Sequence, residues 1–204
     1  PDIPQRPGRR KLDREEGFAA NPPSPFVELG VTSCFSFLHG ASDAADLVGT
    51  AWRLGYDALG IADRNTLAGI VRLHTEARTA RLRPVIGCRI LLADGQAFLA
   101  YPTDRAAYGR LARLLTTGKR RTTKGECELG LADLFDHGEG QIVIALPPEK
   151  PDQSFVDTLD ALRNHFGKRA FLAAHRLFRG DDGRRLDALS DLARRCRTPL
   201  VATN

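Results

Sequence analysis

The chain has 204 residues, of which 42% are hydrophobic and 27% are charged, and its formal net charge is +5. This composition is typical of a soluble globular domain and excludes a disordered chain. No apolar run approaches the ~20 residues that cross a bilayer. The mild positive charge allows a nucleic-acid partner without requiring one. No apolar core of a signal peptide is present near the first residue, so we expect a cytoplasmic protein.

Four cysteines are spread along the chain without the Cys-x-x-Cys spacing of zinc sites. This favours reduced thiols over a disulfide framework or a structural zinc site. Glycine-rich loops that bind dinucleotides or nucleotide phosphates are also absent from the sequence. The last residues, TPLVATN, have the pattern of a buried strand, so we expect the chain to be a piece of a longer protein.

Residues 1–25 are rich in proline, glycine and mixed charge, and we expect a flexible leader there. From Phe26 onward, short apolar runs alternate with amphipathic stretches. The predicted strands are Phe26–Val31, Ala58–Ala62, Pro84–Leu92, Ala97–Tyr101, Gln141–Leu146, Ala170–Ala173 and Leu200–Ala202. The predicted helices run from Ser42 or Asp43 to Gly55, from Asn65 to about Ala80, and over Arg105–Thr116, Ser154–Phe166 and Asp182–Cys196. This alternation predicts an α/β fold with parallel strands, in either an open doubly wound sheet or a barrel.

Five segments carry a resemblance to a known family. The stretch FVELGVTSCFSFLHGA (26–41) resembles the opening motif of PHP (polymerase and histidinol phosphatase) domains. LGYDALGIADRNTLAG (54–69), RPVIGCRIL (83–91), AYGRLARLLT (107–116) and PLVATN (199–204) follow in the family's order and with its intervals. The segments FSFLHGAS, DLVGTAWRLGYDALGIAD and TTGKRRTTKGECELGLADL are similar to an error-prone DNA polymerase, the ImuC-type paralogue of the bacterial DNA polymerase III alpha subunit.

The resemblance implies a PHP-type distorted (β/α)7 barrel over residues 26–204, incomplete and truncated before barrel closure. It implies a parent protein that is a DNA-directed DNA polymerase, a nucleotidyltransferase acting in translesion synthesis, damage-induced mutagenesis and repair. Mg²⁺ would belong to a polymerase domain outside this chain. The expected partners are DNA, a sliding clamp and a Y-family-like mutagenesis protein, with no membrane.

A working PHP site holds metal ions through His, Asp and Glu side chains at strand ends, and these ions activate water. In this chain the corresponding vestigial positions are Gly30, Thr32, His39, Asp63, Arg64 and Arg89. Only Asp63 is a clear ligand, because glycine offers no side chain and an arginine stays protonated. We therefore expect no metal and no catalytic residue in this chain, and we expect Asp63 to pair with Arg64 or Arg89 as a structural remnant.

The leading interpretation is thus a degenerate, non-catalytic domain of a polymerase. Two alternatives stay open: an active metal-dependent PHP phosphoesterase or 3′-5′ exonuclease, and a protein-interaction module. His39 could still ligate a metal, whereas the other four histidines lack ligand spacing. Ser33 and Ser36 lack the surroundings of a nucleophile.

The densest basic run is KRRTTK at 119–124. One interpretation of this run is contact with DNA phosphates, which is favourable through counterion release. The residues that would make that contact are Lys119, Arg120, Arg121 and Lys124. The pattern favours the alternative interpretation, a solvated loop or a contact with the polymerase body.

Overall fold

A computed structural model describes residues 26–203, which form seven strands and six α-helices. The predicted leader, residues 1–25, lies outside the described residues. The strands are β1 (Glu28–Val31), β2 (Ala58–Arg64), β3 (Arg83–Leu91), β4 (Ala97–Pro102), β5 (Gln141–Leu146), β6 (Ala170–Ala174) and β7 (Leu200–Ala202). The helices are α1 (Ala44–Arg53), α2 (Ile70–Thr79), α3 (Arg105–Arg120), α4 (Leu131–Asp136), α5 (Gln153–Phe166) and α6 (Asp182–Arg195), and a 3₁₀ turn spans Gly167–Arg169.

The strands form one sheet in the order of the sequence, from β1 to β7. Neighbouring strands are parallel except at β4, which is antiparallel to both β3 and β5. The prediction of parallel strands is therefore wrong for β4. The connection from β3 to β4 is a tight turn, closed by a 2.9 Å hydrogen bond from Leu92 N to Gln96 O. Such a turn is too short for the crossover that a parallel pair requires.

The sheet curls strongly, so that its two edge strands approach each other. Leu29 of β1 and Val201 of β7 both pack on an apolar cluster that contains Leu99 and Ile144. In a flat sheet, six strand spacings would separate β1 from β7 by roughly 29 Å. Instead, Thr203 Oγ1 donates a 2.7 Å hydrogen bond to a carboxylate oxygen of Glu28. The predicted PHP-type barrel is confirmed as a curled seven-stranded half-barrel.

Helices cover the outer face of the curled sheet in two groups. Helices α1 and α2 pack on β2 through a cluster that includes Val48, Ile61 and Leu73. A larger cluster joins α3, α5 and α6 to the outer face of β3–β6, with Phe98 and Leu159 among its fully buried members. Because alternate residues of a strand point to opposite faces, Phe98 faces the helices while Leu99 faces the interior of the half-barrel. None of the helices that the structure describes is both long and apolar enough to span a bilayer.

Two helices of the structure differ from the prediction. Helix α2 begins at Ile70 rather than Asn65, since Asn65 has a left-handed backbone (φ 46°). The Asn65 side chain instead pairs with the backbone of Leu91, accepting from N at 2.9 Å and donating to O at 3.2 Å. Helix α4 was not predicted. Its first turn is stabilised by Asp133, whose carboxylate accepts from Gly130 N at 2.8 Å, and its six residues are too few for a clear helical period.

Candidate functional site at the carboxyl ends of the strands

Charged and polar side chains collect at the edge where the parallel strands end. Asp63 and Arg64 end β2, Arg89 lies near the end of β3, and His175 follows β6. Thr32 follows β1. In α/β sheets this edge is where ligands bind. The fold therefore brings most of the predicted PHP positions to one place.

Asp63 is 2% exposed, and its carboxylate is held by the loop that follows β1. Oδ1 accepts a 2.8 Å hydrogen bond from Ser33 N and a 2.6 Å bond from Ser36 Oγ. Oδ2 accepts a 2.7 Å bond from Ser33 Oγ. Three donors thus satisfy a buried charge that would otherwise carry a large desolvation cost. We call this arrangement the serine clamp.

Backbone packing leaves little room beside the serine clamp. Ser36 Oγ also accepts a 2.9 Å bond from Arg64 N, which ties the loop to the end of β2. A Cβ atom at Gly69 would lie 2.7 Å from Asp63 Oδ2 and 2.9 Å from Ser33 Oγ. A Cβ atom at Gly40 would lie 2.1 Å from Ser33 O. Both glycines therefore allow the chain to close around Asp63.

The predicted pairing of Asp63 with Arg64 or Arg89 is wrong. Among residues 26–203, Asp63 takes part in no ion pair with either arginine, because serine donors occupy both of its oxygens. Arg64 instead contacts Nε2 of His39 through its NH1 group. His39 Nε2 is therefore occupied by Arg64.

Arg89 sits beside Arg64, since the two residues are register partners on β2 and β3. Its Nε is buried and has no hydrogen-bond partner in the described part of the chain. Burial lowers the pKa of Arg89, and the positive charge of Arg64 lowers it further against opposing effects of Tyr101 and Glu28. Arg89 is thus a cation in an environment that disfavours its charge, and no described residue accepts a hydrogen bond from its Nε.

The two positions on β1 and its following loop carry no ligand. Gly30 donates its backbone N–H to Glu28 at 2.8 Å. The Thr32 hydroxyl lies 3.4 Å from the Gly30 carbonyl, a long local contact. Gly30 thus uses its backbone and Thr32 its hydroxyl in local contacts at the β1 edge.

The donor set at this edge does not fit a multinuclear metal centre. Within residues 26–203, no three His, Cys, Asp or Glu side chains come together where they could hold an ion. Asp63 already accepts three hydrogen bonds, and His39 Nε2 faces a guanidinium. A metal would have to displace these donors and approach two arginines, which its charge opposes.

The PHP domain family matches this chain over residues 28–174. The chain belongs to the PHP domain family. The match begins at β1 and ends with β6, so it contains the serine clamp and both arginines of the site.

This PHP domain is similar to the front of several much longer proteins. It is 46% identical over 183 residues to an error-prone DNA polymerase of Caulobacter vibrioides, covering 89% of this chain and 17% of that protein. It is 48% identical to error-prone DNA polymerase 3 of Agrobacterium fabrum, covering 88% of this chain and 16% of that protein. The chain therefore spans about one sixth of the curated relatives it matches.

Solved structures share the fold of this PHP domain at low sequence identity. A protein of Bifidobacterium adolescentis, named as an inferred metal-dependent phosphoesterase, matches with a TM-score of 0.67 and 16% identity over 90% of this chain and 88% of that chain. An amidohydrolase of Chromobacterium violaceum matches with a TM-score of 0.63 and 12% identity, over 87% and 86%. These likenesses support the architecture.

The basic segment of the PHP domain is only partly loop. Lys119 and Arg120 end α3, and Arg121 follows them. Arg121 donates to both carboxylate oxygens of Asp133, at 2.6 and 2.7 Å. This hydrogen bonding raises the pKa of Arg121 and lowers the pKa of Asp133. Arg121 therefore anchors α4, whereas Lys119, Arg120 and Lys124 are exposed.

Sequence reasoning missed three residues at the PHP site: Ser33, Ser36 and His175. A signal for the serines was available. The spacing Ser-x-x-Ser directly after β1, together with a retained Asp at the end of β2, places two hydroxyls within reach of one carboxylate. His175 gave no such signal, because its position depends on the curl of the sheet.

Proposed function

We propose that this PHP domain is degenerate and non-catalytic, and that it serves as a structural domain of an error-prone DNA polymerase. The observation that supports it most directly is the serine clamp. In this proposal the clamp replaces metal cross-links between β1 and β2 by hydrogen bonds to Asp63. The domain would then retain the stability that metals supply to an active relative, without their chemistry.

The chemical argument rests on what a metal-dependent phosphoesterase needs. Its ions lower the pKa of a bound water and clamp the phosphate oxygens. Here the one retained carboxylate is saturated by Ser33 and Ser36, and Arg64 and Arg89 add positive charge at the same edge of the sheet. In our proposal, the described residues at this edge offer no nucleophile that replaces a metal-bound water.

The parent protein is proposed from the relatives named error-prone DNA polymerases. We expect it to be a DNA-directed DNA polymerase acting in translesion synthesis after DNA damage, in the cytoplasm. Mg²⁺ would be bound in a polymerase domain outside this chain. DNA, a sliding clamp and a Y-family-like mutagenesis protein are the proposed partners.

The proposal extends to DNA contact by the basic segment. Lys119, Arg120 and Lys124 are exposed and have no ion pair among the described residues, whereas Arg121 is engaged by Asp133. Replacing Arg120 and Lys124 by Glu in the full-length protein should weaken DNA binding and flatten its salt dependence. Lys168→Glu with Arg195→Glu is the matched control, since both are exposed elsewhere. Equal effects of the two double substitutions on DNA affinity would show that the basic segment does not contact DNA.

The experiment for the leading proposal is an activity assay on the full chain with Mn²⁺ or Zn²⁺ added. We expect no release of phosphate from phosphate monoesters and no shortening of 3′ ends of DNA above the metal-only background. Hydrolysis that depends on Asp63, and is lost in Asp63→Ala but not in Ser154→Ala, would instead establish an active phosphoesterase or 3′-5′ exonuclease.

A second candidate, an interaction module, is favoured by exposed apolar side chains in the loops after β1 and β6. Phe37, Leu38 and Phe178 are 82%, 86% and 81% exposed. Purified sliding clamp and Y-family-like protein, each immobilised, should capture the chain in this case. Capture should fall when these three residues become Ser and persist in Val71→Ser, an exposed control on α2. Failure to capture the native chain would eliminate this candidate for those two partners.

A further inference from the structure

A cluster of cationic side chains surrounds His175 at the open end of the half-barrel. Its members are Arg64, Arg89 and Arg185, and we call it the cationic cluster; Arg89 and Arg185 act directly on the charge of His175, and Arg64 acts on Arg89. Arg64 and Arg89 are register partners on adjacent strands. Arg185, from α6, contacts the backbone carbonyl of His175 through NH2. Three elements of the fold thus bring guanidinium groups to one place.

Strand alternation places the strand members of this cluster on the inner face. Ala62, Val85 and Ala173 belong to the interior apolar cluster of the half-barrel. Residues two or four positions further along the same strands share that face. Arg64, Arg89 and His175 therefore continue the inner face at its carboxyl end, whereas Asp63 lies on the other face of β2.

Two guanidinium donors of the cationic cluster are buried without a partner. Arg89 Nε and Arg185 Nε are both inaccessible to solvent and make no hydrogen bond within residues 26–203. A buried donor without a partner costs about 1–3 kcal/mol. Two such donors in one cluster indicate a site whose acceptor comes from a ligand.

Charge near the cluster is in positive excess. Asp182 lies 3.9 Å from Arg185, and its carboxylate also accepts from Leu177 N at 2.8 Å. Glu28 lies near Arg89 and accepts from Gly30 N and Thr203 Oγ1. Among the described residues, Asp182 and Glu28 are the carboxylates that act on Arg185, Arg89 or His175, against the three guanidinium groups of the cluster. Burial lowers the pKa of His175, and Arg185 and Arg89 lower it further, which is consistent with a local positive potential.

The geometry points to a metal-independent anion site, in which the cationic cluster binds one phosphate group at the mouth of the half-barrel. Guanidinium groups suit this ligand, because their planar N–H donors match the oxygens of a phosphate and remain charged at all physiological pH values. The phosphate could belong to a DNA strand or to a free phosphate compound. The inference rests on the proposed loss of the metal centre, since arginines take the place of ions as phosphate ligands.

Titration of the full chain with inorganic phosphate in the presence of EDTA tests this site. We expect saturable binding that weakens with added salt and falls by about ten-fold or more in Arg89→Gln, as loss of a charged hydrogen bond predicts. Arg83→Gln is the matched control: it removes the same charge from the exposed opposite end of the same strand. Arg64→Gln is a second variant, and circular dichroism checks that each variant is folded.

The source of the phosphate is separated by two oligonucleotides of one sequence, with and without a 5′-phosphate. Preference for the phosphorylated strand identifies an end phosphate, equal competition by both identifies the DNA backbone, and competition by inorganic phosphate alone identifies a small ligand. All three outcomes support the site when Arg89→Gln abolishes them. Equal phosphate binding by the native chain and by Arg89→Gln would overturn the anion site. Absence of phosphate binding, with or without Mn²⁺, would also overturn the site but would leave the proposed function intact. Binding that requires Mn²⁺ and leads to hydrolysis would overturn both.

Discussion

Ser33 and Asp63 are joined twice: the Ser33 N–H donates to Oδ1 at 2.8 Å, and the Ser33 hydroxyl donates to Oδ2 at 2.7 Å. The two residues are 30 positions apart and connect the loop after β1 to the end of β2. A carboxylate that accepts in this bidentate manner has its lone pairs directed at the protein. This relationship underlies the proposal that the PHP domain of this chain is held together by hydrogen bonds where a metal-dependent phosphoesterase would use ions.

Ser33→Ala is expected to destabilise the fold by about 1–3 kcal/mol, because it leaves one oxygen of a buried carboxylate without its donor. Urea unfolding followed by circular dichroism measures the change. Ser154→Ala is the control, since Ser154 is exposed in the first turn of α5. Equal stability of the two variants would mean that the Ser33 hydroxyl contributes nothing to the fold.

Thr203→Val is expected to loosen the approach of β7 to β1. The substitution conserves shape but removes the hydroxyl that donates to Glu28, and a hydrogen bond to a charged group contributes about 1.5–3 kcal/mol. The substitution should accelerate amide hydrogen exchange more in β6 and β7 than in α1 and α2. The same pattern in Thr75→Val, an exposed helical control, would show that the effect is unrelated to strand closure.

Cys88 should resist thiol reagents while the chain is folded. Burial raises its pKa to about 12, so the reactive thiolate is scarce at pH 8. Cys34 is exposed and should react first, as peptide mapping after timed labelling can show. Because an unfolded thiol ionises near 9, the stability that Cys88 contributes is complete below that pH and declines as pH rises from 9 towards 12. Rapid labelling of Cys88 at pH 8 would contradict this burial.

Arg121→Gln should return the pKa of Asp133 towards its ordinary value. The hydrogen bonds from Arg121 hold that pKa low, so the stability they provide is present at neutral pH and is lost as pH falls through the pKa of the folded state. NMR titration of Asp133 in both proteins measures the shift. Arg120→Gln, one residue earlier and exposed, should leave Asp133 unchanged; a comparable shift there would mean a diffuse charge effect.

The positions of strands and most helices follow from sequence because their signals are local. Apolar runs gave all seven strands to within a few residues, and Asp43 caps α1 as its position predicts, accepting from Asp46 N at 3.0 Å. The direction of β4 was missed, although the five residues that separate Leu91 from Ala97 already favour a hairpin. Helix α4 was missed because six residues contain less than two helical turns.

The candidate site was predictable in place but not in detail. The family resemblance located Asp63, Arg64 and Arg89, and the structure puts them at one edge of the sheet. The hydrogen-bond partners of Asp63 could not be predicted from charge alone. Charge favours pairing with an arginine, whereas nearer serine donors satisfy the Asp63 carboxylate. His175 and Arg185 come from segments more than 80 residues after Arg89. Their approach depends on the curl of the whole sheet, which no local pattern encodes.

The most direct test of the serine clamp as a replacement for metal is titration calorimetry of the full chain with Mn²⁺. Our account predicts no stoichiometric binding, since Asp63 is saturated by hydrogen bonds and arginines flank the ligand positions. Tight binding of several ions per chain, lost in Asp63→Ala and retained in Ser154→Ala, would contradict it.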